Sequence, residues 1–273
     1  MKLAISNIAW QPEEETKMIS LITSHGVEGI EIALTKYWVE PTLATEHEIA
    51  ELKKRFDSVR LSIPTAQALL FGHPELVLFG TDEDRIKTFE YIFKICRVSS
   101  EMGIKSLIFG SPKNRLRGKI SGDSALEIAA DFFHQLAYEI SPLDITICIE
   151  PNPVEYGCDF IRTTGEAIEL VQKVNHQNFR LNLDTSAIFL NHEEPEFIIP
   201  QCIPYTNHFH VSEPYLNPIG TMNNNHRIIA KVLQDCNYSG WISIEMRSGL
   251  TKRNDAIILS AIEFTKSVYL NCH

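Results

Sequence analysis

The sequence predicts a single (β/α)8 barrel formed by residues 1–273. Three observations predict it. Strand-like and helix-like segments alternate from one end of the chain to the other, the pattern of a parallel sheet wrapped in helices. Eight such units in 273 residues match the size of a closed barrel. In the second half, four successive apolar runs each end in an ionisable residue, and barrels gather such residues at strand C-termini. An open doubly wound sheet is the competing arrangement, but no glycine-rich phosphate fingerprint follows the first strand.

The elements follow in order. Lys2–Ile8 is an apolar strand, and the amphipathic stretch Glu14–Ser24 ends at Gly26, a helix-terminating residue. Gly29–Ala33 is the next strand, Glu46–Phe56 a helix and Val59–Ile63 a third strand. In Glu83–Met102 the residues Ile86, Phe89, Ile92, Phe93 and Cys96 recur at helical spacing, and Gly103 closes the helix before the strand Ser106–Phe109. The helix Ser124–Ile140 reaches a turn at Ser141–Pro142, then the strand Thr146–Ile149. The helix Thr164–Val174 and the strands Arg180–Leu183 and His208–Val211 come next. The helix Asn225–Asp235, a turn at Ser239–Gly240, the strand Trp241–Ile244 and the helix Asp255–Leu270 complete the set.

Composition narrows the function. At 44% hydrophobic residues the chain can build a large core without disulfide staples. Its six cysteines (Cys96, Cys148, Cys158, Cys202, Cys236 and Cys272) form no CxxC pair and read as reduced thiols of a cytoplasmic protein. A formal net charge of −10 repels nucleic acid, so no nucleic-acid partner is expected. The opening MKLAISNIAW is too short an apolar run for a signal peptide, and no stretch is long enough to cross a membrane. No linker or low-complexity tract divides the chain.

The run-ending residues are Glu150 in ITICIEPNP, Asp184 in FRLNLDTS, His210 in NHFHVSEP and Glu245 in WISIEMR. Side chains alternate faces along a strand. If Glu150 points into the barrel, Ile147 and Ile149 point out toward the helices. The same parity places Asp184, His208, His210, Ser243 and Glu245 inside, with Leu181, Leu183, Phe209, Val211, Ile242 and Ile244 outside. Buried ionisable groups are costly unless they bind a cation or do chemistry. Three carboxylates and an imidazole suit one divalent metal ion, Mn, Co, Mg or Zn. Taken singly, Asp184 also reads as a helix cap and His210 as a hydrogen-bonded core histidine.

Other residues carry paired readings. Glu31, ending the second strand, faces inward and binds a substrate hydroxyl, orients a ligand or makes a structural hydrogen bond. Trp10 is a pocket wall or a plug of the rim. Lys113, Arg115 and Arg117 in GSPKNRLRGKIS are candidates for a substrate phosphate or carboxylate, against a solvated loop. Arg247 is a candidate for the same task or for pairing with an acid. Glu155 and Tyr156 are placed to close over a ligand, and Glu213 to support His210. His208 is expected to pack or support rather than ligate.

These segments resemble the xylose-isomerase-like TIM barrels of the sugar-phosphate isomerase/epimerase group along the whole chain, and within it the ketose 3-epimerases. The resemblance rests on an IEP-type glutamate, an LDT aspartate, an HFHxxE histidine and a glutamate in an IxxE-type motif, matched by Glu150, Asp184, His210 and Glu245. It implies that these residues hold one divalent cation, that Glu150 and Glu245 act as an acid/base pair, and that a homo-oligomer is open to the chain. Two departures stand beside it. Ketose epimerases carry a substrate-binding histidine where this chain has Ala187, and an arginine where it has Leu216. Their second, substrate-binding glutamate has no secure match at Glu155. The apurinic endonuclease branch needs further histidines, one of them at the position of Ala187, so DNA repair is disfavoured.

The expected function is a metal-dependent isomerase or epimerase of a small sugar, sugar phosphate or polyol-derived carbonyl compound. A proton next to a carbonyl would be removed and returned by the glutamate pair through an enediolate. The runner-up is a lyase of the inosose or dehydroshikimate dehydratase kind, and a non-catalytic binding protein stands third.

Overall fold

The computed structural model describes residues 1–249 and 253–271. Eight parallel strands close into a barrel in chain order. They are β1 Lys2–Ser6, β2 Gly29–Ala33, β3 Thr65–Gln67, β4 Ser106–Phe109, β5 Thr146–Ile149, β6 Phe179–Asp184, β7 Thr206–Ser212 and β8 Trp241–Glu245. Closure is direct, since Ala4 pairs with Gly29 on one side and with Ser243 on the other. The helices are α1 Glu15–Ser24, α2 Glu46–Ser58, α3 Asp82–Glu101, α4 Gly122–Ile140, α5 Thr164–Val174, α6 Thr185–Leu190, α7 Pro195–Cys202, α8 His226–Asp235 and α9 Asn254–Thr265.

Local chemistry sets the helix ends. Thr45 with Glu48 and Thr81 with Asp84 form capping boxes that open α2 and α3. In each, the hydroxyl takes a helix N–H and the acid takes the threonine N–H, so two otherwise unpaired donors are satisfied. Gly26 and Gly103 follow α1 and α3 at φ 66° and 81°, the left-handed exit expected of them.

Two expectations need correction. The third strand is Thr65–Gln67 rather than Val59–Ile63. Val59 ends α2, Ser62 makes one isolated bridge to Gly29, and regular pairing starts only after Pro64, which has no N–H to give. The short helices α6 and α7 between β6 and β7 were not foreseen. Each is too brief to display a period, and α7 contains Pro200. Five cysteines, Cys96, Cys148, Cys158, Cys202 and Cys236, are free thiols. Cys272 lies outside the described residues.

The barrel wall divides the chain by parity. Leu3, Ile5, Leu107, Phe109, Ile147, Ile149, Leu181, Leu183, Phe209, Val211, Ile242 and Ile244 join the apolar layer beneath the helices. Many of the inner positions are polar and buried, among them Glu31, Thr65, Asn182, His208, His210 and Ser243. The fold therefore spends its hydrophobic burial outside the sheet and keeps the interior for hydrogen-bonded groups.

Packing is tight where the Trp241 side chain of β8 reaches across β1 to β2. A Cβ on Gly29 would lie 2.7 Å from Cζ3 of Trp241 and 3.1 Å from Cδ of Pro64. Gly29→Ala should destabilise the protein by about 1–3 kcal/mol through overpacking. Urea unfolding should show a lower midpoint with an unchanged slope.

Candidate metal centre

Glu150, Asp184, His210 and Glu245 converge at the strand C-termini, with ligand atoms all within 4.8 Å of one another. His210, pointing inward from β7, is the hub. Its Nδ1 lies 2.9 Å from Glu150 Oε1 and 3.4 Å from Glu245 Oε2. Its Nε2 lies 3.0 Å from Glu31 Oε2. With Nε2–H donating to Glu31, Nδ1 is left to face the other carboxylates.

Glu31 is fully buried and lies beneath the cluster. Thr65 Oγ1 donates to it at 2.6 Å, and His208 Nε2 approaches it within 3.0 Å. Burial works against its charge, yet the His210 and His208 rings hold its carboxyl far below the usual range. Burial lowers His208, so His208 favours the neutral form. A carboxylate behind a ligating imidazole fixes the ring's tautomer and orientation. Glu31 does not line the cavity above the cluster; its contacts are with Thr65, His208 and His210.

The carboxylates are held individually. Asn182, two residues before Asp184 on the same face of β6, donates from Nδ2 to Glu150 Oε1 at 2.7 Å. Asn152 Nδ2 donates to Glu150 Oε2 at 3.0 Å. Asp184 is also the N-cap of α6: its Oδ1 accepts the Ser186 N–H at 2.7 Å and the Ser212 hydroxyl. Both bonds fall on Oδ1, so the cap does not use Oδ2. The cap and ligand readings of Asp184 are therefore compatible.

Charge is crowded here. Burial, then the charges of Glu150 and Glu245, push Asp184 up to about 8. Burial likewise raises Glu245, whereas for Glu150 the bonded His210 outweighs burial and lowers it. Burial opposes charge on His210, but Glu31 and Glu245 drive it well above its ordinary range. Three acids and one imidazole with this mutual strain fit a divalent cation, which would relieve the repulsion and take the place of the shared protons.

A cavity of about 430 Å³ opens over the cluster. Glu150, Asp184 and Glu245 line it together with Gln67, Asn152, Tyr156 and Arg247, and Ile8, Ala68, Ile108, Pro112, Tyr215 and Leu216 supply apolar wall. The loop after β7 reaches this position under strain, because Tyr215 and Leu216 sit at φ 61° and 55° without being glycine. Tyr156 OH accepts the Tyr215 N–H at 2.9 Å and bonds Ser186 Oγ at 2.5 Å. The Arg247 N–H donates to the Leu216 carbonyl at 3.0 Å.

Several expected site residues lie elsewhere. Arg115 is fully buried, and its guanidinium donates to the carbonyls of Phe109, Glu150 and Ile161, so it braces the loops after β4 and β5 and is closed to a substrate anion. Lys113 is exposed and lines a separate hollow. Arg117 Nε donates to the Asp159 carbonyl and the Arg117 N–H to the Asp159 carboxylate. Trp10 packs in the core and lies outside the cavity wall, where Ile8 stands instead. Glu155 is exposed outside the cavity, while its neighbour Tyr156 lines it. Glu213 accepts from Gly220 N–H and Asn224 Nδ2 and contacts His226, so it ties its own loop to α8 rather than supporting His210.

Fold and geometry thus define a (β/α)8 barrel with a candidate metal centre at its mouth. The chain belongs to the xylose isomerase-like TIM barrel family, whose profile it matches over residues 19–268. Among solved structures it is similar to D-psicose 3-epimerase from Clostridium cellulolyticum H10 with D-tagatose, at TM-score 0.83 and 16% identity over 100% of both chains. It is also similar to 3-keto-D-glucoside 4-epimerase from E. coli, at TM-score 0.82 and 16% identity, covering 98% of this chain and 99% of the other. The IolI protein with a bound zinc atom aligns at TM-score 0.78 and 18% identity over 100% of both chains. Sequence comparison with curated proteins gives no match. At such identities the likeness establishes the shared fold. Among the described residues no helix is long and apolar enough to cross a membrane.

Two outcomes follow from the cluster. Folded Asp184 keeps its proton up to about 8, while the unfolded chain releases it near the ordinary 3.8, so this group costs the metal-free protein stability as pH rises through that window. A cation removes the penalty, so the rise in melting temperature on adding Mn²⁺ should be larger at pH 8 than at pH 6. The second outcome concerns Gly110, where a Cβ would lie 2.7 Å from Glu150 Oε2. Gly110→Ala should displace that carboxylate and weaken Mn²⁺ binding about tenfold or more, read by calorimetry.

Proposed function

We propose that the protein is a divalent-metal-dependent isomerase or epimerase of a small sugar, sugar phosphate or polyol-derived carbonyl compound. The observation that carries this reading is the convergence of Glu150, Asp184, His210 and Glu245 beneath an open cavity. The carboxylate-rich donor set suits Mn, with Co, Mg and Zn as alternatives. A cation held there would supply positive charge against the anion that forms when a carbon beside a carbonyl loses its proton.

The chain's own residues would do the rest. Glu150 and Glu245 reach the same imidazole nitrogen from β5 and β8, so a substrate seated above His210 meets a carboxylate from each side. One would take the proton and the other return it, to the opposite face for epimerisation or to the adjacent carbon for isomerisation. Their opposed tendencies support this division. Burial raises Glu245 above the usual carboxylate range, while against burial the bonded His210 lowers Glu150, so the two carboxyls differ in basicity. Asp184 and His210 would hold the cation without exchanging protons with substrate. The apolar wall around Leu216 and Tyr156 would keep water from the carbanion. Free thiols at the five described cysteines fit a reducing compartment, and the cytoplasm is the proposed location.

The test is solvent exchange. The Mn²⁺-loaded protein, incubated in D₂O with a panel of ketoses, ketose phosphates and keto-polyols, should incorporate deuterium beside the carbonyl of its substrate. Product analysis then distinguishes isomerisation from loss of water, the lyase outcome. Glu150→Gln and Glu245→Gln should each lower kcat by about 10²–10⁴. Near-normal turnover by Glu150→Gln on a proven substrate would defeat the assignment.

A further inference from the structure

We propose that this site takes an anionic substrate, a carbonyl-polyol bearing a phosphate or carboxylate at the end remote from the reacting carbons, and that Arg247 is the residue that recognises the charge. The inference rests on the reading of the metal centre given above. It begins with charge. Glu150, Asp184 and Glu245 together carry three negative charges when ionised, so one divalent cation leaves the floor of the cavity net negative. The chain as a whole carries −10. An anionic group is therefore repelled from the floor and can be held only by a cation placed away from it.

The cavity wall offers one such cation. Arg247 alone among the lining residues is basic. It stands two residues beyond Glu245, and its backbone is pinned by the bond from its N–H to the Leu216 carbonyl at 3.0 Å. Its guanidinium has no ion-pair or hydrogen-bond partner among the described residues, whereas Arg115 and Arg117 spend theirs on carbonyls. A free planar fork of donors at a cavity rim matches the paired oxygens of a phosphate or carboxylate.

The rest of the wall is short of free donors for a neutral polyhydroxyl tail. Tyr156 OH is engaged by Ser186 and the Tyr215 N–H, the Gln67 amide donates to Ser6, and the Asn152 amide donates to Glu150. Leu216, Ile108 and Pro112 offer no hydrogen bond at all. A hydroxyl seated there can donate to Asn152 Oδ1, which has no hydrogen bond of its own, but it finds few donors to accept from. A single terminal anion would carry the recognition with one strong contact.

The experiment compares matched probes by calorimetry on the Mn²⁺-loaded full chain. D-xylulose 5-phosphate is set against D-xylulose, and D-fructuronate against D-fructose. At least one charged probe should bind about tenfold or more tightly than its neutral partner. The pair that shows the preference identifies phosphate or carboxylate as the group recognised. Arg247→Met should abolish the preference with Mn²⁺ affinity retained, and Arg247→Lys should restore part of it. Equal affinities within both pairs, absence of binding by every probe, or a preference that survives Arg247→Met would each overturn the proposal. Failure of the wild-type protein to bind Mn²⁺ at all would instead sink the metal-centre reading beneath it.

Discussion

Like charges in a dry space govern this molecule. Two carboxylates about 4 Å apart repel by on the order of 4 kcal/mol even at the effective dielectric of a protein interior. Three converge here on one face of a single imidazole. Such an arrangement survives only if protons or a cation neutralise it, and the surrounding structure is built to accommodate both. Asn182 and Asn152 give N–H bonds to Glu150, Ser212 gives its hydroxyl and Ser186 its N–H to Asp184, and Glu31 compensates His210 from below. These partners aim the carboxyl groups without cancelling their charge. The repulsion is thereby directed into the one volume where a cation would reside.

The barrel makes that arrangement affordable. Its apolar residues are used on the outer face of the sheet, where Ile147, Leu183, Phe209 and Ile244 meet the helices. The interior is then free to carry the buried polar side chains Thr65, Asn182, His208 and Ser243. Glu31 links the levels, because its Oε2 is shared by Thr65, His208 and His210. A change in the lower interior would therefore reach the carboxylate cluster through His210.

What was legible in the sequence was what local periodicity encodes. A period of two along each strand placed Glu150, Asp184, His210 and Glu245 on one face, and that pattern needs no knowledge of neighbours. Asn182 was legible by the same rule, two residues before Asp184. The third strand was misplaced because a short apolar stretch outweighed Pro64. Arg115 misled for a different reason. Its partners are carbonyls from three separate segments, and backbone acceptors leave no trace in side-chain identity. Gly110 gave no signal either, since its importance lies in the 2.7 Å that separates its missing Cβ from Glu150.

The loop after β7 shows where such a site is individualised. Tyr215 and Leu216 both adopt left-handed backbone, a conformation that costs non-glycine residues of order 1 kcal/mol or more each. Offsetting bonds come from three directions: Tyr156 OH takes the Tyr215 N–H, Glu213 O takes the Leu216 N–H, and the Arg247 N–H holds the Leu216 carbonyl. The strain is thus supported by the loops after β5 and β8, and its product is an isobutyl group held against the cavity. Ala187 adds a second apolar position close to Asp184, buried in the first turns of α6. Because Asp184, His210 and Glu245 lie on strands and Glu150 directly follows one, while Tyr156, Leu216 and Arg247 lie in the loops beyond, the wall can be rebuilt without disturbing the floor. On the proposed function, substrate choice would be a property of three interlocked loops, and the chemistry a property of the barrel beneath them.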